Sequence, residues 1–217
     1  MEIVSETTTD AWKVALKAIL DNGDDFQDTN KGKCRGVLNL LVEIRSPAPD
    51  VTRPIEMLNG FNKWVYPPLD EIANIILTKK LSPVYTYSYG PSLFSFRKKI
   101  NQIDDYVIPV LEKDPTSRRA VSILWDPQED ANPERKLVPS LCLIDFKLRN
   151  DRLNVFAFVR SNEMFFGWPA NVYQIYTLQK YVAKKLAVKI GKLTTLSPSA
   201  HIFDDEFDAI RKVIGQL

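Results

Sequence analysis

Side chains able to do chemistry crowd into residues 137–171 of this chain. A hydroxyl and a thiol stand two residues apart (Ser140, Cys142), followed by an arginine and a second hydroxyl (Arg160-Ser161), a carboxylate (Glu163) and a carboxamide (Asn171). The hydroxyl of Ser140 and the thiol of Cys142 are very unequal nucleophiles. A thiol ionises near about 8.5, whereas a serine hydroxyl is very weak without a dedicated base. The chain has one histidine, His201, to offer as such a base.

Period and punctuation identify the elements that must position these groups. After Pro139, the residues Ser140, Cys142, Ile144, Phe146 and Leu148 alternate onto one face of an extended strand. Arg149-Asn150-Asp151-Arg152 is a polar turn, and residues 153–160 return as a second strand rich in Val and Phe. Gly167-Trp168-Pro169 breaks the chain before a long amphipathic helix, residues 172–186, which Gly191 closes. The reactive groups therefore fall at strand ends and a helix start, where functional side chains tend to be mounted. Earlier in the chain, Thr8-Thr9-Asp10 can cap a helix ending at Asn22-Gly23, and a polar loop follows over residues 28–33. Residues 37–44 and 120–125 read as strands; residues 69–77, 101–111 and 206–214 read as helices. Residues 86–90 are aromatic and turn-like, and residues 198–203 form a loop or short strand. Strands and helices without strict alternation predict an α+β fold, a mixed sheet flanked by helices.

With 217 residues, 45% hydrophobic and 26% charged, the chain can bury a real core, and no linker divides it. One domain over residues 1–217 is expected. A net charge of +2 is too small to argue for nucleic acid or an acidic membrane surface as partner. Cys34 and Cys142 are too few for a disulfide framework or a structural zinc site. No signal peptide is evident, and no apolar run approaches the about 18 residues that span a bilayer. A reducing cytoplasm is the expected location.

Five motifs in order resemble thymidylate synthase and its pyrimidine-nucleotide hydroxymethylase relatives. They are the Ala11-Trp12 helix ending in Asn22-Gly23 and followed by Asp28; Asp114-Pro115-Thr116-Ser117-Arg118-Arg119 with Trp125; residues 137–146; Arg160-Ser161 with Gly167, Pro169 and Asn171; and Ala200-His201-Ile202. The resemblance implies a homodimer in which Arg118 and Arg119 reach the 5′-phosphate held by Arg160 and Ser161 of the neighbouring subunit. Guanidinium groups suit that task through charge-assisted, bidentate bonds. It implies that Asn171 reads the pyrimidine edge, that Tyr89 lies near the base, and that His201 meets the sugar 3′-hydroxyl. Glu71 would organise proton transfer through water. Glu163 and Gly167 would lie at the folate.

The departures from the family pattern matter as much. Its reactive cysteine falls at Ser140 in the ungapped register, and the thiol of Cys142 stands roughly 7 Å farther along the strand. Either a bulge or kink after Pro139 brings Cys142 back, or the thiol stays in the core and the covalent step is lost. Thr29 replaces an arginine, with Lys31, Lys33 and Arg35 nearby, and Phe203 replaces the tyrosine that joins the histidine at the sugar. Glu163 replaces an aspartate, and the chain ends at Leu217 without the segment that closes over folate, as in the archaeal branch. The implied activity is one-carbon transfer to C5 of a uridine monophosphate, most simply dUMP. The donor would be a reduced folate or pterin, methylene-tetrahydrofolate or methylene-tetrahydromethanopterin. The alternatives are a hydroxymethylase acting on dCMP, CMP or dUMP, and a nucleotide-binding homologue without catalysis.

Overall fold

In the computed structural model, which describes residues 1–29, 31–61, 63–80 and 88–215, eight strands form one mixed sheet. They are β1 (Glu2–Ser5), β2 (Asp24–Asp28), β3 (Gly32–Ile44), β4 (Val121–Ile123), β5 (Leu141–Arg149), β6 (Arg152–Val159), β7 (Ser161–Glu163) and β8 (Lys189–Phe203). Their order is β1-β3-β8-β6-β5-β4, with β2 on β3 and β7 on β8. β1 and β3, β6 and β8, and β7 and β8 run parallel; the remaining pairs are antiparallel. The helices are α1 (Thr8–Asn22), α2 (Arg53–Asn59), α3 (Leu69–Leu77), α4 (Tyr89–Phe94), α5 (Ile108–Lys113), α6 (Pro127–Asp130), α7 (Gly167–Lys185) and α8 (Phe207–Ile214). The expected α+β class and the mixed sheet flanked by helices are what the chain builds.

Strand alternation divides the sheet into two unlike faces. Leu40, Val42, Ile144, Phe146, Ala157 and Leu193 are buried on the face that α1 and α7 cover. The opposite face carries a cross-strand row, Leu41 to Leu196 to Phe158 to Leu143 to Ile123, whose members are partly or fully exposed. Two tryptophans fasten the covering helices. Trp12 of α1 donates to the Met164 carbonyl at 2.8 Å and stacks on Phe165, and Trp168 of α7 donates to the Thr195 hydroxyl at 3.1 Å.

Several boundaries differ from the expected ones for local reasons. Thr7 caps α1, and the Asp50 carboxylate accepts from the amides of Thr8 and Thr9 at 2.9 and 2.8 Å, a tertiary cap that adjacent residues do not reveal. Of the expected polar loop over residues 28–33, Asp28 ends β2 and Gly32 and Lys33 open β3, and residue 30 lies outside the described residues. β2 is nearly all exposed and so has no apolar period, but it pairs with β3 and is tied by Arg35 to Asp25. The helix over residues 101–111 begins instead as a π turn, Ile103–Val107, ahead of Pro109, which has no amide for the ladder. Gly191 does not close the long helix. Ala187, at φ 53°, follows the end of α7, and Gly191 lies in β8, where a side chain would collide with Leu153 and Asn154. The turn at Asn150-Asp151 is as expected, both residues being left-handed. Within the aromatic stretch over residues 86–90, residues 86 and 87 lie outside the described residues, and Tyr89 opens α4.

Candidate functional site

Five polar side chains from five different segments meet in one continuous line. The Tyr89 hydroxyl lies 3.1 Å from the Ser140 hydroxyl and donates to Asn171 Oδ1 at 3.3 Å. Asn171 Nδ2 donates to Asn162 Oδ1 at 3.2 Å, and Asn162 Nδ2 donates to Ser197 Oγ at 3.1 Å. Asn162 and Ser197 are buried, whereas Ser140 and Asn171 are half-exposed, so the line runs from the core to an open surface. An open hollow of about 510 Å³ abuts its outer end, lined by Ser88 and Pro139 beside the ion pairs Arg97–Asp126 and Arg135–Asp130.

Each of these groups is held by its own element. Tyr89 stands at the first position of α4, pressed against the end of α3. A side chain on Gly90 would lie 2.2 Å from the Thr78 carbonyl, so only glycine permits that approach. Asn171 stands near the start of α7 on the helix that Trp168 pins to β8. Ser140 immediately precedes β5. The guanidinium of Arg160 donates to the carbonyls of Pro139 and Val138 at 2.9 and 3.1 Å and lies over the Trp125 ring, and the Arg160 amide binds the Ser140 carbonyl at 2.8 Å. Arg160 therefore shapes the approach to Ser140 while leaving one guanidinium nitrogen without these bonds.

The strand does bulge, and at the thiol. Leu141 pairs with Val159 but Leu143 pairs with Phe158, so Cys142 is one extra residue on β5. This corrects the expectation that Ser140, Cys142, Ile144 and Phe146 share a face: the extra residue shifts the alternation, and Leu141, not Cys142, is buried with Ile144 and Phe146. The Cys142 thiol lies 3.5 Å from the Ser140 carbonyl. Burial pushes the thiol up, and the Arg160 amide and charge only partly offset it. It is Ser140, not Cys142, that meets Tyr89.

A second group of side chains gathers on the other side of β7. Glu163 accepts from the amides of Phe165, Phe166 and Gly167, capping the entry to α7. It lines a hollow of about 520 Å³ with Lys31, Trp64, Phe166, Phe203 and Glu206. Burial is the main cause that pushes both Glu163 and Glu206 up, and the charges of Glu163 and Asp205 add to it at Glu206, which reaches about 8. The aromatic walls suit a flat ring such as a pterin, but the Glu163 oxygens are already occupied by backbone donors. Gly167 contributes one of those amides at 2.6 Å rather than an open approach. His201 lies on β8 opposite Gly36, edge-on to Phe26 and Phe203, with its Nδ1 buried and unbonded. Burial pulls the imidazole down, outweighing the Ser199 backbone contact that favours its charged form.

Arg118, Arg119 and Glu71 are brought neither to this line nor to the Glu163 hollow within one chain. Arg118 and Arg119 are exposed and line separate hollows, Arg118 with Lys147, Arg149, Arg152 and Lys192, and Arg119 with Tyr106 and Asp114. Glu71 is exposed in the first turn of α3, a helix that packs against both α4 and α7. Ser161 opens β7 beside Arg160 and pairs with Ser199. Sequence reasoning missed Asn162, Ser197 and Glu206. Asn162 lies between Ser161 and Glu163, yet nothing in one sequence marks it as buried.

Comparison with known proteins agrees with this fold. Residues 54–216 match the family model for thymidylate synthase. A protein of Methanosarcina barkeri named "Putative thymidylate synthase" is 33% identical over 210 residues, covering 97% of this chain and 93% of its own length. One of the same name from Methanococcoides burtonii is 32% identical, covering 98% and 94%. A deoxyuridylate hydroxymethyltransferase of Bacillus phage SP01 is 32% identical over 123 residues, 54% of this chain and 32% of its own. The solved structure of the thermostable thymidylate synthase A from Bacillus subtilis overlays with a TM-score of 0.67 at 20% identity, covering 96% of this chain and 84% of that one. On the family match over most of its length, this chain belongs to the thymidylate synthase family.

Proposed function

We propose that this chain binds a pyrimidine nucleoside monophosphate with a uracil-type base, most simply dUMP, and directs a one-carbon unit from a reduced folate or pterin to C5. The observation that carries the reading is the Asn171 carboxamide, half-exposed and held in place by Tyr89 and Asn162. Such a group offers a donor and an acceptor side by side, matching O4 and N3–H of uracil. Arg160 and Ser161 bind the phosphate, His201 the sugar, and Glu71 relays protons through water. Trp64 and Phe166 flank the donor's ring, and Glu163 and Gly167 shape the floor beneath it. The reaction takes place in a homodimer, in which the partly exposed apolar row of the sheet is covered and Arg118 and Arg119 cross to the partner's phosphate. The covalent route would use the thiol of Cys142.

One observation favours a second reading. The hydroxyl that meets Tyr89 belongs to Ser140, and the only histidine, edge-on to Phe26 and Phe203, offers it no base. On that reading the chain binds the nucleotide but forms no adduct. Incubation with 5-fluoro-dUMP and methylene-tetrahydrofolate, read by intact mass, separates the two. An adduct lost in Cys142→Ala but kept in Ser140→Ala supports the covalent enzyme. Nucleotide binding without an adduct supports the second reading, and absence of any pyrimidine-nucleotide binding overturns both.

A further inference from the structure

The line of five side chains has a direction. A tyrosine has one proton to give, and Tyr89 gives it to Asn171 Oδ1. At its contact with Ser140, 3.1 Å long, the serine must therefore be the donor. Every bond then points inward: Ser140 to Tyr89, Tyr89 to Asn171, Asn171 to Asn162, and Asn162 to Ser197. Bonds aligned in this way polarise and strengthen one another.

The same five groups can be satisfied in the opposite sense. If both carboxamides turn over, Ser197 donates to Asn162, Asn162 to Asn171, Asn171 to Tyr89, and Tyr89 to Ser140. No donor is lost by the reversal. What changes is the edge that Asn171 turns outward, because its oxygen and nitrogen exchange places. One orientation accepts from N3–H and donates to O4 of uracil. The other donates to N3 and accepts from the 4-amino group of cytosine. Asn171 on its own can thus read either base, and its orientation decides which.

We infer that Asn162 and Ser197 are positioning residues that set the orientation of the Asn171 carboxamide and so its choice between uracil-type and cytosine-type nucleotides. The inference rests on the reading that Asn171 faces a pyrimidine. Burial gives the inner end its authority: Asn162 is 1% exposed and Ser197 is 0% exposed, so neither can exchange its partner for water. An unmatched donor there costs the full desolvation of the group, so the carboxamides of Asn162 and Asn171 can turn over only together. A half-exposed Asn171 without that anchor would turn freely to suit whichever base arrived.

The variants separate orientation from simple support. Asn162→Asp can only accept from Asn171, so it locks the present sense. Asn162→Leu removes both bonds at similar volume. Ser197→Ala removes the acceptor for the inner amide and favours the reversed sense, in which a carbonyl rather than an N–H is left unmatched. Calorimetry with dUMP and dCMP should show the wild-type affinity ratio kept or enlarged in Asn162→Asp, and reduced about tenfold or more in Asn162→Leu and Ser197→Ala, on the usual worth of one buried hydrogen bond. Exchange of the ¹⁵N-labelled Asn171 side-chain amide protons should be slow in wild type and Asn162→Asp and fast in Asn162→Leu. A discriminating wild type whose ratio is unmoved in Asn162→Leu and Ser197→Ala overturns the inference alone. Equal loss of both affinities with the ratio intact also overturns it, as mere structural support. A wild type that binds neither nucleotide overturns the proposed function as well.

Discussion

Asn171 illustrates how a residue's type and its surroundings divide the work. Its carboxamide supplies a donor and an acceptor, but the surrounding hydroxyls and amide decide where each points. Replacing it with Asp leaves acceptors alone at the base, unless the carboxyl takes a proton to meet a cytosine ring nitrogen. Asn171→Asp is therefore expected to move the preference from dUMP toward dCMP by about 1–3 kcal/mol, the cost of leaving a buried polar group unmatched. Titration calorimetry with both nucleotides checks this, and equal affinities in the wild type would remove Asn171 as the reader. Ser140 is the complementary case, a hydroxyl seated against Tyr89 whose chemistry is wrong for covalent addition. The bulge does not bring the thiol of Cys142 into its place; it adds a residue beyond it and turns Leu141 into the core.

At the level of elements, the entry to α7 is a junction held from several sides. Three consecutive amides close on Glu163, Trp12 and Trp168 pin the segment from both sides, and Glu206 caps the turn into α8 by accepting from the Phe203 amide at 2.8 Å. Burial raises Glu206 from an ordinary value of 4.5 to about 8, with the Glu163 charge second, so the folded chain holds a proton there that the unfolded chain releases. A raised carboxyl contributes stability that is whole below about pH 4.5 and is lost as pH rises through about 8. The melting temperature should fall between pH 6 and pH 9 by on the order of 5 °C, at about 2–4 °C per kcal/mol for a chain of this size. Glu206→Gln keeps an acceptor for the Phe203 amide without the charge and should flatten that slope. Calorimetric scans across the range decide it, and an unchanged slope in the variant would assign the effect elsewhere.

For the whole molecule, the unequal faces of the sheet predict assembly. The row from Leu41 to Ile123 crosses five strands on the face opposite α1 and α7. Contiguous apolar surface of this kind is stabilised by a second copy. Sedimentation at micromolar concentration should give a dimer, and Phe158→Glu should give a monomer that binds dUMP more weakly. Hybrid dimers of Arg119→Ala and Arg160→Ala chains should recover part of the binding lost in each variant alone, since one site then carries both changes and the other neither. Full binding by an isolated monomer would exclude a shared phosphate site.

How much of this was legible in the chain depends on the range of the interaction that decides each feature. The helix ending at Asn22, the helix at Leu69–Leu77, the hairpin turn at Asn150-Asp151 and the α+β class follow from local period and turn chemistry, which act between near neighbours in sequence. The candidate residues also stood out, because ordered motifs keep their residue types whatever the surroundings. Tertiary structure alone decided the rest. β2 has no apolar period and exists through its pairing with β3. The bulge at Cys142 is a register between two strands, so it belongs to neither strand by itself. The line from Ser140 through Tyr89, Asn171 and Asn162 to Ser197 joins residues up to 108 positions apart in number, from Tyr89 to Ser197. Hydrogen bonds are directional and short-ranged, so such a line acquires meaning only when the fold has brought every donor within reach of its acceptor.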